Sequence, residues 1–422
     1  MAVLSNVIGL LVLLLCTFDS ARMIIASPLM EYNNRVRFNC PATTTCSCSY
    51  VLSDYEISCP ESEPSVIVKV QPATYVQIDC MTMDEKVYTQ LPEMSTGDIP
   101  MVQFRRCPLP IGSSIQRILD RLGVRRTRAL IFLSYGADLG GSLVRQHLSG
   151  FNELERLVLS GNGLSNLPED LFDDVGNVTW LDLRANKVHL PVNIFRKLRK
   201  LEYLELGFNN LNSLEAGVFR NQHKLKHLNL WGNNLQHLTK DAFIGVSSIV
   251  DLDLSSNNIE TLQADVFEHL TNLTVINLNA NKFSQLPEGL FSKNKNLSRI
   301  RLMENRIDLV TLPNGFLANL PTLEGITIKC NLRSLPETTF ADSPNIRNVS
   351  LASNALTTLP KNLFADQQNL LDLDLSNNHL YELHDELFLN TRALLVLRLS
   401  HNQLNKISGY VHQFFSVSLH SI

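Results

Sequence analysis

The sequence lacks a long apolar run, a surplus of charge of one sign and any recognisable catalytic motif. Its 422 residues carry a formal net charge of −4, which argues against the basic surface that general nucleic-acid binding requires. No stretch approaches the roughly 18 apolar residues of a membrane-spanning helix. The chain contains no nucleophile elbow, P-loop or helical pair of metal ligands. We therefore expect a non-enzymatic protein without cofactor, metal, nucleic-acid partner or membrane span.

One short apolar run opens the chain. It covers ten residues, Val7 to Cys16, which is too short to cross a bilayer and typical of the apolar region of a signal peptide. Small residues at Ser20, Ala21 and Ala26 offer cleavage points. We expect residues 1–22 to be a signal peptide and the remaining chain to be secreted into the extracellular space.

Six of the eight cysteines cluster behind this run. An even cluster in a secreted chain predicts three disulfides, and six cysteines leave fifteen pairings open. A zinc site is the alternative, because Cys46 and Cys48 have the spacing of thiolate ligands. Cys330 is left over as a free thiol or an intermolecular bridge. The six clustered cysteines are Cys40, Cys46, Cys48, Cys59, Cys80 and Cys107.

Four Asn-x-Ser/Thr acceptors predict glycosylation of the secreted chain. They are Asn177, Asn272, Asn296 and Asn348. Asn348 and Ser350 fall on a predicted strand, so a glycan there would cover the strand face and confine a ligand to the N-terminal half.

A repeat dominates the rest of the chain. Three successive copies read LEYLELGFNNLNSL from Leu201, LKHLNLWGNNLQHL from Leu225 and IVDLDLSSNNIETL from Ile249. The pattern L-x-x-L-x-L-x-x-N-x-L is the signature of a leucine-rich repeat. Its asparagine is assigned to Asn162, Asn186, Asn209, Asn233, Asn257, Asn281, Asn305, Asn331, Asn354, Asn378 and Asn402.

Each conserved position of the repeat has a physical role. Alternating leucines predict a half-buried strand, with Leu204 and Leu206 pointing inward and Tyr203 and Glu205 outward. The asparagine amide can both donate to and accept from backbone groups of the turn. A phenylalanine ends most copies and should stack behind the strands. These residues are Phe172, Phe195, Phe219, Phe243, Phe267, Phe291, Phe316, Phe340, Phe364 and Phe388.

A single copy cannot bury its apolar face, so the copies must stack. We expect an α/β leucine-rich-repeat solenoid, a horseshoe with a concave parallel sheet. Residues 23–128 would form a cysteine-rich N-terminal cap, and 129–407 about twelve repeats. The first of these is degenerate and starts at Leu130, with Leu133, Tyr135 and Asp138 in the matching places. Residues 408–422 are a divergent tail without a C-terminal cap, which suggests truncation of a longer array.

Several blocks of the chain resemble the ectodomain of insect Toll receptors, members of the Toll-like receptor family. The likeness extends from about Cys40 to about Gly409. The blocks are CSCSYVLSDYEISCP, YVQIDC, FRRCPLP, RQHL, LNLWGN, HLTNLTVINLNANKFSQLPEGLF and RLMENRIDLVTLP. This resemblance implies a receptor of innate immunity and development that binds a Spätzle-like cystine-knot cytokine and can dimerise. The family also has further repeats, a membrane span, which would place the full-length protein in the plasma membrane, and a signalling TIR domain. This sequence contains none of the three.

Outward positions of the N-terminal repeats are the candidate ligand site. Both tryptophans lie there beside further aromatic and acidic side chains, a composition favoured at binding hot spots and able to steer a basic partner. Alternatively, Phe208 and Trp231 pack sideways on neighbouring turns and only support the fold. The candidate residues are Trp180, Asp182, Tyr203, Glu205, Phe208, His227, Trp231, Asp251 and Asp253.

Two other functions fit the same features. A secreted adhesion or matrix protein would share the cysteine cap and the glycans. A soluble decoy would capture the cytokine without signalling.

Overall fold

The structure is a computed structural model that describes residues 38–405 apart from 42–44, 62, 64, 135–141 and 306–308. Cys40–Ile422 forms one compact unit. The expected signal peptide and C-terminal tail lie outside the described residues, as do Tyr135 and Asp138 of the degenerate repeat. No helix within the described part is long and apolar enough to cross a bilayer.

The described residues form nineteen strands, one short α-helix and four 3-10 helices. In chain order the strands are β1 (Ser47–Val51), β2 (Asp54–Cys59), β3 (Val66–Gln71), β4 (Tyr75–Cys80), β5 (Gly97–Asp98), β6 (Met101–Arg105), β7 (Val124–Arg126), β8 (Ala129–Leu133), β9 (Arg156–Val158), β10 (Trp180–Asp182), β11 (Tyr203–Glu205), β12 (His227–Asn229), β13 (Asp251–Asp253), β14 (Val275–Asn277), β15 (Arg299–Met303), β16 (Gly325–Lys329), β17 (Asn348–Ser350), β18 (Asp372–Asp374) and β19 (Val396–Arg398). The helix α1 is Ile115–Arg121, and the 3-10 helices are Glu85–Gln90, Arg145–Leu148, Lys240–Phe243 and Asp385–Phe388.

One sheet runs through the cap and the repeats. Strands β1 to β4 form an antiparallel meander, and β6 then pairs with β4 in parallel. From β6 the sheet continues in parallel through β8 and β9 to β19. Strands β5 and β7 form a separate small pair. The predicted solenoid of stacked parallel strands behind a disulfide-rich cap is confirmed.

All six clustered cysteines are paired, so the predicted three disulfides are confirmed and the zinc alternative is wrong. Cys40–Cys48 and Cys46–Cys59 fasten the segment before β1 and the ends of the first hairpin. Cys80–Cys107 joins the end of β4 to the turn after β6.

The asparagine ladder works as its amide chemistry predicts. Asn233 is 4% exposed. Its Oδ1 accepts the Asn209 and Leu211 N–H groups at 2.9 and 3.1 Å. Its Nδ2 donates to the Leu206 and Leu230 carbonyls at 3.0 and 2.9 Å. The side chain therefore satisfies four backbone groups, three of which belong to the preceding repeat.

One position of this ladder differs from the sequence assignment. Cys330, rather than Asn331, occupies it, because the Cys330 and Leu332 N–H groups donate to Asn354 Oδ1 at 2.9 and 3.1 Å. The Cys330 thiol replaces the asparagine amide and donates to the Leu302 carbonyl at 3.0 Å. Sulfhydryl and amide can both donate here, which is why this position of the repeat accepts either residue.

Of the two alternatives for Cys330, the structure bears out the free thiol, which is buried. The side chain is 2% exposed, and burial raises the pKa of the thiol to about 12. At neutral pH the thiol is protonated and out of reach of another chain. An intermolecular bridge is therefore wrong for the folded array.

The phenylalanines form the expected spine. All ten are buried, and the ring centroids of Phe172 and Phe195 lie 6.2 Å apart with planes inclined by 10°. Phe195 and Phe219 repeat this arrangement at 6.0 Å. The spine fills the space behind the sheet and leaves outward strand positions free for function.

Candidate functional site

Two rows of side chains cover the outward face of the repeat strands. Because the strands pair in strict register, equivalent residues of successive strands are neighbours. The first row is Arg156, Trp180, Tyr203, His227, Asp251, Val275, Arg299, Gly325, Asn348, Asp372 and Val396. The second row is Val158, Asp182, Glu205, Asn229, Asp253, Asn277, Arg301, Thr327, Ser350, Asp374 and Arg398.

The first five members of the first row form a continuous stack, hereafter the ring stack. Arg156 lies over the Trp180 ring, with its guanidinium carbon 4.4 Å from the ring centroid. The rings of Trp180 and Tyr203 stack with centroids 4.6 Å apart and planes inclined by 18°. His227 lies on the other face of Tyr203 at 4.4 Å and 4°. His227 Nδ1 is 3.7 Å from Asp251 Oδ2, at the far end of the stack.

The ring stack is a rigid, half-buried platform. The rings of Trp180 and Tyr203 are each held on both faces, His227 stacks on Tyr203, and the strands below fix the backbone. The cation–π contact of Arg156 contributes about 0.5–1 kcal/mol at an exposed site. Each aromatic pair adds about 0.5–1.5 kcal/mol beyond its buried area. The rings are thus ordered before any ligand arrives, so little conformational entropy remains to be lost on binding.

The second row is less open to solvent than its charge suggests. Asp182 is 2% exposed, and Arg184 folds back to pair with it, Nη2 to Oδ2, at 2.7 Å. Arg184 Nε also lies 3.9 Å from Glu205 Oε2. The expectation that Asp182 adds an open charge to an acidic stripe is therefore wrong, because an arginine two residues further on neutralises it.

Burial dominates the electrostatics of Glu205. It raises the pKa of that carboxyl, and neighbouring Asp182 and Asp253 act in the same direction. The Arg184 charge and a hydrogen bond from Asn229 lower the pKa but do not offset burial. Protonation of Glu205 is thus easier in the folded chain than in water.

Three polar atoms around the ring stack are buried without a hydrogen-bond partner. They are Arg156 Nε, Trp180 Nε1 and Glu205 Oε2. Buried polar groups in native proteins are nearly always satisfied, so a cluster of exceptions needs an explanation. Two donors and one acceptor thus lie beside the aromatic platform without a hydrogen-bond partner among the described residues.

Phe208 and Trp231 form a separate pair at the edge of the sheet. Their rings meet edge to face with centroids 4.3 Å apart and planes inclined by 70°. Both residues follow the strands β11 and β12 and lie in the turns, so they are not part of the ring stack. Phe208 has φ +55°, an uncommon value for an aromatic residue, and covers Gly232. The sideways packing considered from the sequence is confirmed for this pair, although Phe208 remains 40% exposed.

The remaining acidic candidates lie on β13. The Asp251 side chain is 47% exposed at the end of the ring stack. Asp253 is held by its neighbours, because Ser255 N–H and Asn277 Nδ2 donate to its two carboxylate oxygens at 2.8 and 3.1 Å. Asp251 is thus the more available of these two charges.

Arg156 was not identified from the sequence. It precedes Trp180 by one repeat, and aligning Leu157 with Leu181 would have placed it in the first row. A pattern of aromatic and acidic side chains does not include an arginine, whose role becomes evident only from its position over the Trp180 ring. Within the described part of the chain no three His, Cys, Asp or Glu side chains form a group that could hold a metal ion.

Comparisons with known proteins agree with this fold. The model of the leucine rich repeat family matches seven overlapping stretches, 152–211, 187–234, 199–259, 223–283, 247–307, 321–380 and 344–404. The protein toll of Drosophila melanogaster is 54% identical over 316 residues, which are 74% of this chain and 29% of that protein.

Solved structures give the same result in three dimensions. A structure of the Toll–Spatzle complex from Drosophila superimposes with a TM-score of 0.78 and 43% identity, over 87% of this chain and 49% of that one. The glycosylated form of that complex gives 0.81 and 43%, over 90% and 51%. A TLR13–ssRNA13 complex, at 22% identity and a TM-score of 0.62, shares the fold alone. The chain thus spans about half of the similar solved chains and 29% of the curated relative.

Proposed function

Because this chain belongs to the leucine-rich-repeat proteins and, among them, to the Toll receptor ectodomains, we propose that it binds a Spätzle-like cystine-knot cytokine. The observation that carries the proposal is the ring stack on β9–β13. Each strand of this stack contributes one outward side chain, and these side chains are of types that suit protein recognition. The proposed role is binding rather than catalysis, outside the cell, a location that the three disulfides favour.

The composition of the ring stack supports a protein ligand. Tryptophan, tyrosine and arginine are the residues most enriched at binding hot spots, and three of them are consecutive here, at Arg156, Trp180 and Tyr203. Their order before binding favours affinity, because immobilising a free side chain costs about 0.5–1.5 kcal/mol. The exposed Asp251 carboxylate at the far end would attract a basic group of the ligand.

The whole receptor's activity is part of the proposal. We propose that the ring stack engages one cytokine subunit and that ligand binding brings two receptor chains together. A soluble decoy would use the same site with the same ligand, so it differs only in what lies beyond the leucine-rich repeats. An adhesion or matrix role finds no separate support in the site.

The test is a double substitution, Trp180→Ala with Tyr203→Ala. Both rings are removed from the centre of the ring stack while Leu181 and Leu204, which face the core, stay in place. We expect the affinity for a purified cystine-knot cytokine, measured by calorimetry, to fall by about 30-fold or more, because a hot-spot residue contributes about 2 kcal/mol or more.

Tyr381→Ala is the matched control. Tyr381 is 47% exposed and lies far along the array, after the turn that follows β18. It should bind like the wild type, and circular dichroism should show that both variants are folded. Wild-type affinity in the double variant would refute this site. Lack of any binding by the wild type would refute the ligand class instead.

A further inference from the structure

The C-terminal part of the strand face differs from the ring stack. A groove crosses β15 to β19 and encloses about 320 Å³, far more than the roughly 30 Å³ that one water molecule takes up. Its lining is polar and of both signs. Arginines from β15 form one wall. The other consists of the β18 aspartates and Arg398 of β19, whose Nη1 lies 2.6 Å from Asp372 Oδ1. The central lining residues are Arg299, Arg301, Gly325, Asn348, Asp372 and Asp374.

Gly325 opens the groove next to Asn348. It is the first-row neighbour of Asn348, on β16, and it places no side chain between the arginines and the asparagine. A Cβ at this position would lie 3.4 Å from Arg299 Cγ, so the arginine side chain rests against the glycine. Arg299 and Arg301 are exposed and make no ion pair within the described residues. Their donors are available to a polar occupant of the groove.

Asn348 begins the acceptor sequence Asn348-Val349-Ser350 and differs from the acceptors at the edge of the array. Asn177 Nδ2 donates to the Asn152 carbonyl at 2.6 Å, and Asn296 Nδ2 donates to the Thr271 carbonyl at 2.9 Å. The exposed Asn348 side chain makes no hydrogen bond within the described part of the chain.

We propose that Asn348 carries an N-linked glycan whose first sugars lie in this groove. Sugar hydroxyls can accept from the guanidinium groups of Arg299 and Arg301. They can also donate to Asp372 Oδ2 and Asp374 Oδ2, because Arg398 and Ser376 engage only the Oδ1 atoms of these carboxylates.

The glycan would divide the strand face between two occupants. Asn348 on β17 lies four strands beyond Asp251 on β13, which is about 19 Å at about 4.8 Å per strand. Carbohydrate would thus cover β15 to β18 and leave the ring stack open. Glycan mapping requires no ligand. The glycan inference can therefore fail while the proposed cytokine binding stands, and cytokine binding can fail while the glycan inference stands.

The test begins with the whole chain secreted from insect cells. The peptide that contains Asn348 is analysed by mass spectrometry after enzymatic deglycosylation in heavy-oxygen water, which marks each formerly glycosylated asparagine. We expect most copies to be marked at Asn348. Asn348→Gln and Ser350→Ala should each lose one glycan mass. A largely unmarked peptide in the wild-type chain would overturn the inference, whether or not the variants are secreted.

A second experiment, on folded chains, tests whether the first sugars of the glycan lie in the groove. Arg299→Ala removes one of the two arginines of the β15 wall. The matched control is Arg333→Ala, which changes an exposed arginine outside the groove lining. If the sugars lie in the groove, an endoglycosidase should release the Asn348 glycan faster from Arg299→Ala than from the wild type or the control. Equal release from all three chains would show that the glycan points into solvent and would overturn its placement.

Discussion

The phenol ring of Tyr203 lies flat on the imidazole of His227, with centroids 4.4 Å apart and planes inclined by only 4°. The opposite face of Tyr203 is covered by Trp180. Because the ring is held from both sides, its position is set by residues of the neighbouring repeats as much as by its own strand. The binding surface is therefore a property of the stacked array rather than of one repeat.

His227→Ala should weaken cytokine binding even if the ligand never touches the imidazole. It frees one face of Tyr203 and removes a pair contribution of about 0.5–1.5 kcal/mol, which corresponds to a loss of about two- to tenfold in affinity. His227→Phe keeps a flat ring and should retain most of the affinity. His237→Ala, an exposed histidine outside the strands, is the control. Unaltered calorimetric affinity in His227→Ala would show that the stack does not position the site.

Cys330→Ala should destabilise the array, and Cys330→Asn should not. The alanine variant leaves the Leu302 carbonyl without its thiol donor, and an unsatisfied buried group costs about 1–3 kcal/mol. An asparagine can supply the amide donor that the other ladder positions use. We expect the denaturant midpoint of Cys330→Asn to stay near that of the wild type and that of Cys330→Ala to fall. A midpoint for Cys330→Asn below that of Cys330→Ala would show that the site holds only a thiol.

Glu205→Gln should change how stability depends on pH. Burial raises the pKa of Glu205 in the folded chain, so the native state holds its proton more tightly than the unfolded chain. Below the unfolded pKa the carboxyl is neutral in both states. As pH rises through the folded pKa, the wild type loses stability relative to the glutamine variant. The melting temperature of Glu205→Gln, measured relative to the wild type, should therefore be higher at pH 7 than at pH 4.

Glu202→Gln is the matched control for this pH series. Glu202 precedes β11 and pairs with Lys226 on the surface, with Oε2 and Nζ 2.9 Å apart. Its substitution removes only this exposed ion pair, which contributes little to stability, so the melting-temperature difference should stay small at both pH values. A Glu205→Gln difference that is equally flat, or of opposite sign, would contradict the dominance of burial at Glu205.

The repeat made most of the fold predictable from the sequence. Regular leucines and asparagines fix the strands, the ladder and the phenylalanine spine, because each such residue has the same neighbours in every copy. The assignment of ladder asparagines failed where a different residue makes the equivalent hydrogen bonds. Cys330 fills the ladder position while Asn331 follows it with φ +68°, and a search for asparagine selects the wrong residue of the two.

The asparagine pattern also misses a copy of the repeat that lies within the cap. Cys107 ends a further copy, in which Val102 and Phe104 of β6 are the buried leucine equivalents. Arg106 just before it has φ +52°, as Ala185 has φ +54° before Asn186. Because Cys107 belongs to the cysteine cluster, the sequence places it in the cap, although the strand before it, β6, already belongs to the parallel sheet.

The candidate site was predictable only in part. Trp180, Tyr203 and His227 were found because their outward positions follow from the leucine pattern. That they stack on one another, with Arg156 at one end, depends on strand register and side-chain rotamers, which the pattern does not specify. The neutralisation of Asp182 by Arg184 likewise depends on an arginine that folds back within its own repeat.

Hydroxyl-radical footprinting of the chain, alone and with a saturating cystine-knot cytokine, tests the central claim most directly. Aromatic side chains report their own exposure, so no substitution is needed. We predict that oxidation of Trp180, Tyr203 and His227 falls in the complex, while that of the exposed Tyr50 and Tyr381 stays the same. A complex that forms and leaves oxidation of Trp180 and Tyr203 unchanged would contradict the assignment of the ring stack as the ligand site.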